Sequence, residues 1–224
     1  MIGADGAGKT TVAHELVRTL DVPVKYLYMG VNLEASTLML PTTRLALALK
    51  RRAGRRPDMT MSSGRPAMTA GVGARVSRAV RSAARTCAWI AEEGFREAVS
   101  WCHRRRGYVV LCDRHFLPDY YAHDVARVDE ARPVASRVHG FFLRRVYPTP
   151  ELMVLLDAPA RLLHERKPES SVEFLERRRQ EYLEVREAVR RFEIVDAAQP
   201  LPVVTAAVAE LIRRAYRQRQ ATGR

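Results

Sequence analysis

Apolar residues recur along this chain in two rhythms, and the alternation between them predicts its elements. Beginning at Thr11, the residues Val12, Ala13, Leu16, Val17 and Leu20 fall at three- and four-residue spacing, one apolar stripe of an amphipathic helix. Strand candidates follow at Val24 to Met29, Tyr108 to Cys112, Leu152 to Leu156 and Phe192 to Val195, the middle two being continuous β-favouring runs. The last three are each followed by an aspartate: Asp113, Asp157 and Asp196. Runs without polar alternation suit strands buried on both faces, as in a parallel sheet covered by helices. Helical patterns fill the intervals near residues 43–50, 80–106, 119–127, 133–146, 159–167, 171–190 and 203–219. Within the long helix before the second run, Trp89, Ile90, Phe95, Val99 and Trp101 read as core.

Residues 51–77 break both rhythms. Arg51, Arg52, Arg55, Arg56 and Arg65 stand among Gly54, Gly64, Gly71, Gly73, Pro57 and Pro66, with little to bury, which predicts a mobile basic loop.

The first helical stripe is preceded by Gly3-Ala-Asp-Gly-Ala-Gly-Lys-Thr10, an uninterrupted G-x-x-x-x-G-K-[ST] pattern. In this spacing the backbone N–H groups of Gly6, Ala7, Gly8, Lys9, Thr10 and Thr11 turn toward the phosphates of ATP. Lys9 reaches the terminal phosphates, and the Thr10 hydroxyl is a ligand for Mg²⁺. The helix that follows directs its positive end at the same anion. A P-loop is ordinarily fed by a buried strand of about five residues, yet only Met1 and Ile2 precede Gly3. The expectation is therefore that the first strand begins upstream or that the chain is truncated there.

Composition narrows the setting. At 224 residues with 47% apolar content, the chain suits one domain with a substantial core, spanning 1–224. It has no apolar run long enough for a membrane span and no export leader, so a cytoplasmic protein is expected. Cys87, Cys102 and Cys112 lack metal-ligand spacing and read as reduced thiols that pack. A net charge of +13 invites a nucleic-acid reading. Only four of the 38 basic residues are lysine, and the arginines are spread along the whole chain, the mark of a compositional bias. An anionic small substrate is served equally by that charge, and nucleic acid is not expected as the primary partner.

The second chemical landmark is Asp113-Arg114-His115 at the carboxyl end of a predicted strand, where ligands bind in open α/β sheets. Asp113 suits Mg²⁺ or a substrate hydroxyl, and Arg114 suits an acceptor phosphate held bidentately. Tyr120, Tyr121 and His123 follow closely enough to line an acceptor pocket.

With these residues in view the chain resembles the thymidylate kinase family of P-loop kinases. The likeness rests on Gly3 to Thr11 with its internal Asp5, on Asp113-Arg114-His115, and on Leu156-Asp157-Ala-Pro159. It continues through Glu165-Arg166-Lys167-Pro168-Glu169, Glu173-Phe174-Leu175, Tyr182-Leu183 and Asp196. These stations keep the family's order over nearly the whole length. The resemblance implies a three-layer sandwich with a parallel sheet of about five strands flanked by helices. It also implies Mg²⁺-dependent transfer of the ATP γ-phosphoryl to a nucleoside monophosphate, dTMP or a related nucleotide. Asp5 would then contact the acceptor sugar, Asp113 and Arg114 would handle metal and acceptor phosphate, and a short lid at 161–170 would bring Arg166 over the transferring phosphate. The resemblance allows a homodimer built on the long helix.

The family's Phe-Pro-x-Arg stretch, which frames the thymine ring, has no counterpart beyond Leu40-Pro41-Thr-Thr-Arg44, and the lid is short. A phosphorylated sugar or lipid is thus an alternative acceptor. A second alternative is a non-catalytic nucleotide binder acting on nucleic acid or a protein partner.

Overall fold

The computed structural model describes residues 1–30, 38–52, 72–121 and 134–222. Most of the basic stretch expected at 51–77 lies outside them, as does His123. The described elements are α1 (Lys9–Thr19), β1 (Val24–Tyr28), α2 (Pro41–Arg52), α3 (Val72–Arg105), β2 (Val109–Asp113), α4 (Phe116–Tyr120), α5 (Val134–Arg145), β3 (Met153–Asp157), α6 (Ala160–Arg166), α7 (Val172–Glu184), β4 (Phe192–Asp196) and α8 (Leu201–Ala221). A 3₁₀ turn at Val185–Ala188 separates α7 from β4. The strands fall within a residue of the expected ones, and β2, β3 and β4 each end on the aspartate that closes the run.

The sheet differs from expectation. Among the described residues the strands do not form the expected single sheet of about five strands in a three-layer sandwich. The strands pair in two separate two-stranded parallel sheets, β1 with β2 and β3 with β4, in a chain that is mostly helix. Tyr28 is in register with Asp113, and Asp157 with Asp196. The physical reason lies in the residues that touch both pairs. Ile2 donates its N–H to Val154 and accepts from Leu156, forming one isolated bridge to Leu155, while the Met1 amine donates to the Cys112 carbonyl at 2.7 Å. Two residues supply a bridge, and a bridge is not a strand.

The core gathers around the chain start and β3. Ile2, Ala4, Val12, Ala13, Leu16, Leu155, Leu156, Leu163, Leu175 and Val208 are all essentially excluded from solvent. Helix α1 rests on β1, β2 and α8, while α3 rests on β2 and α5, and α7 on β3 and α6. Among the described residues no helix is long and apolar enough to cross a membrane.

Helix α3 corrects a second expectation. Trp89 is buried, but Trp101 is 47% exposed, and the buried turns of this helix carry Glu92, Glu93, Arg96, Glu97 and Ser100. Buried charges persist only when paired or hydrogen-bonded, and most of these are. Glu92 accepts from the Leu40 N–H and from Thr43 Oγ1, Glu93 lies 2.9 Å from His139 Nε2, and Glu97 lies 3.5 Å from His115 Nε2. The cysteines also depart from the packing role: Cys87 and Cys102 are exposed, and only Cys112 is partly covered. Burial pushes the Cys112 thiol up to about 12.

Candidate functional site

The site is assembled from the loop between Ile2 and α1 and from the carboxyl ends of β1 and β2. Gly6 and Gly8 take left-handed backbone angles, φ 86° and 78°. At Gly6 a side chain is doubly excluded, since a Cβ would also stand 2.4 Å from the Leu163 carbonyl oxygen of α6. Gly8 is the N-cap of α1 and contributes no side chain to cap the first N–H groups of the helix. Lys9 is buried, its Nζ donating to the Ala4 carbonyl at 2.7 Å across the loop.

Thr10 joins this loop to β2. Its Oγ1 donates to Asp113 Oδ2 at 2.8 Å, across 103 positions of sequence. The same oxygen accepts from the Tyr26 hydroxyl at 2.9 Å, a partner on β1 that sequence reading missed. Burial first, and then the Asp113 charge, push the Tyr26 phenol well above its ordinary value, so it stays a donor. Asp113 is 0% exposed, and its other oxygen, Oδ1, has no hydrogen-bond partner among the described residues. A buried carboxylate oxygen left this way is costly unless a cation or donor is meant to meet it.

Arg114 follows in an unusual conformation, the single described non-glycine residue with positive φ, at 58°. Such strain, of order 1 kcal/mol or more, persists where surrounding structure enforces it, and it clusters at functional sites. Here it accompanies an Arg114 Nη2 to Asp5 Oδ1 bond of 2.9 Å. Burial alone would raise the Asp5 carboxyl, but Arg114, Lys9 and Lys167 outweigh it and hold the group below the usual carboxylate range. Because the folded value is the lower one, the charged carboxylate stabilises the fold above about pH 4 and ceases to do so as pH falls through that depressed value. The expected result is a melting-temperature gap between wild type and Asp5→Asn that is present at pH 7 and shrinks toward pH 3. A gap of equal size at both values would remove the ion pair from the account. Both side chains are about a third exposed, so the gap is modest.

The remaining expected site residues are distributed as follows. Gly6, Ala7, Gly8, Lys9, Thr10 and Thr11 form the loop and the first turn of α1. Tyr120 is buried, edge-on to Trp89 and to His139, and Tyr121 is half-buried beyond it. Arg166 bonds toward the end of β4. Its Nη1 donates to the Ala197 carbonyl at 2.7 Å, at the end of β4. The lid residue whose charge acts on Asp5 is its neighbour Lys167, which also pairs with Glu169 at 2.9 Å. On the same side, Arg179 clamps Asp157 bidentately at 2.7 and 2.8 Å, fixing α7 to the end of β3.

The donor set fits Mg²⁺. One hydroxyl and one carboxylate, the latter with a free buried oxygen, are the small protein share that this ion takes when phosphates and water complete its shell. No protein-family model matches the chain, and no curated protein is found to be similar to it. The functional reading therefore rests on this geometry.

Proposed function

We propose that this protein transfers the γ-phosphoryl group of ATP, with Mg²⁺, to a nucleoside monophosphate. The observation that carries the reading is the Thr10 to Asp113 hydrogen bond, which joins the phosphate loop and the Asp-Arg strand end into one cluster. Phosphoryl transfer asks little covalent chemistry of a protein; it needs alignment and positive charge where oxygens crowd. The loop's N–H groups and Lys9 hold the donor phosphates. Thr10 and Asp113 would hold Mg²⁺, which neutralises charge on those phosphates when bound. Arg114, fixed by Asp5, offers its remaining N–H groups to the acceptor phosphate, and Asp5 keeps one oxygen toward the acceptor's sugar. A protein that only binds nucleotide has no use for this second half.

Two adjoining half-sites make a ligand that spans them bind far more tightly than either part. A bisubstrate analogue, adenosine and a second nucleoside joined through five phosphates, is expected to bind at least about a hundredfold more tightly than ATP. Arg114→Ala should erase most of that advantage while leaving ATP affinity nearly unchanged. An analogue no tighter than ATP would mean that no acceptor half exists.

A further inference from the structure

Helix α5 carries apolar residues on both of its sides. Val134, Arg137, Val138, Phe141, Arg144 and Arg145 recur at spacings of three and four, which sets them on one face of the helix. All six are exposed, whereas His139, Gly140 and Leu143 on the opposite face are buried. Val134 is 72% exposed and Phe141 56%, and the Phe141 ring stands edge-on to Phe142. A helix packed on a core ordinarily keeps its apolar stripe for the buried side and gives polar residues to water. The outer face of α5 gives water valine, phenylalanine and arginine.

Charge sets this face apart as well. Helix α5 contains no acidic residue, and Arg137, Arg144 and Arg145 form no ion pair among the described residues. Arg144 Nε donates only to the Gly140 carbonyl of its own helix, at 3.3 Å. Arginines on other helices are met by carboxylates a turn or two away: Arg18 by Glu15 on α1, Arg178 by Glu181 on α7, and Arg217 by Glu210 on α8. The neighbouring helices share the character of α5. Helix α3, against which it packs, has no acidic residue over 72–91, and α2 has none at all. Leu45, Leu49 and Val80 are exposed on those two helices.

Such a face is matched by a partner that is at once apolar and anionic. A second copy of this chain, with its net charge of +13, would set arginine against arginine. Nucleic acid would satisfy the guanidinium groups through its phosphates, but it offers nothing to Val134 and Val138. A bilayer with anionic headgroups meets both demands. Its acyl boundary takes the valines and Phe141, and its headgroups take the arginines, whose stems lie along apolar surface while the charges reach out. We propose that the outer face of α5 docks this protein on the surface of a membrane rich in anionic lipid, lying in the interface without crossing it. The proposal uses no residue of the phosphotransferase site and stands independently of that reading.

The test is sedimentation of the protein with vesicles of phosphatidylcholine alone and of phosphatidylcholine mixed equally with phosphatidylserine. Binding to the mixed vesicles is expected to be at least about tenfold tighter, and to weaken as salt is added. Phe141→Ser should weaken it by about tenfold, the scale of withdrawing one large apolar side chain. Arg144→Gln combined with Arg145→Gln should do the same or more. Both changes fall on exposed positions, so melting temperatures should stay near that of the wild type. Arg217→Gln, on α8, should leave vesicle binding nearly unchanged. Should a variant fail to fold, the lipid and salt dependence of the unaltered protein still decides. Absence of binding, equal binding to both kinds of vesicle, or binding that survives Phe141→Ser intact would overturn the proposal. Tight binding of DNA with none to vesicles would assign the face to nucleic acid and overturn it too. None of these outcomes bears on transfer of label from ATP, which is measured without lipid.

Discussion

Replacing Lys9 by alanine is expected to lower phosphoryl transfer by about a hundredfold or more, the scale of removing one preorganised charge from the place where negative charge crowds. The side chain is 4% exposed, and its ammonium is held on the Ala4 carbonyl, so it is positioned before any phosphate arrives. No reorganisation is then needed at the moment of transfer, which is what makes such a charge effective. The loop should keep its shape in the variant, because that shape is set by the left-handed glycines at positions 6 and 8 and by α1. Turnover measured beside the melting temperature distinguishes the two: a large loss in kcat with a small thermal shift is the expected result. Turnover near that of the wild type would refute Lys9 as a contact of the transferring group.

The second large effect is expected at Asp113. Asparagine preserves the size of the side chain and removes its charge, leaving a single carbonyl oxygen for two hydroxyl donors, Thr10 and Tyr26, and for the direction now served by Oδ1. Asp113→Asn should therefore lose about a hundredfold in turnover and require a higher Mg²⁺ concentration for half-maximal rate. Tyr26→Phe is the informative companion. It removes one hydrogen bond to Oδ2, about 1 kcal/mol of stability, while the carboxylate charge and Thr10 remain. If the Mg²⁺ requirement of Asp113→Asn is unchanged, the aspartate is a structural anchor for β1 and α1 and nothing more.

Much of the candidate site is legible in the sequence, for physical reasons that differ from residue to residue. Gly3 to Thr10 is readable because backbone conformation there demands glycine at fixed intervals, and phosphate chemistry demands Lys9 and Thr10. Asp113 is readable because it ends an apolar run, and its meeting with Thr10 follows from setting that strand end and the phosphate loop at one crevice. Tyr26 was not readable: its residue type suits any strand, and only the parallel register of β1 with β2 turns its hydroxyl toward Asp113. The charged face of α3 was missed for the opposite reason. Periodicity arguments credit apolar residues with burial, whereas Glu92, Glu93, Arg96 and Glu97 are buried by partners distant in sequence, among them Gly30, Thr43, His115 and His139. Arg166 illustrates a further gap, since sequence places it on the lid but does not say that a carbonyl at Ala197 takes its guanidinium. The strands themselves were found, while their grouping was not, because grouping depends on how many residues bridge the two pairs and here that role falls to Met1 and Ile2.

The most direct test follows the label of [γ-³²P]ATP in the presence of Mg²⁺ and the nucleoside monophosphates, with Lys9→Ala as the control. The account predicts that radioactivity appears in a nucleoside diphosphate, at a rate at least about a hundredfold greater for wild type than for the variant. Label that stays in ATP, or that is released only as inorganic phosphate whichever monophosphate is added, would contradict it.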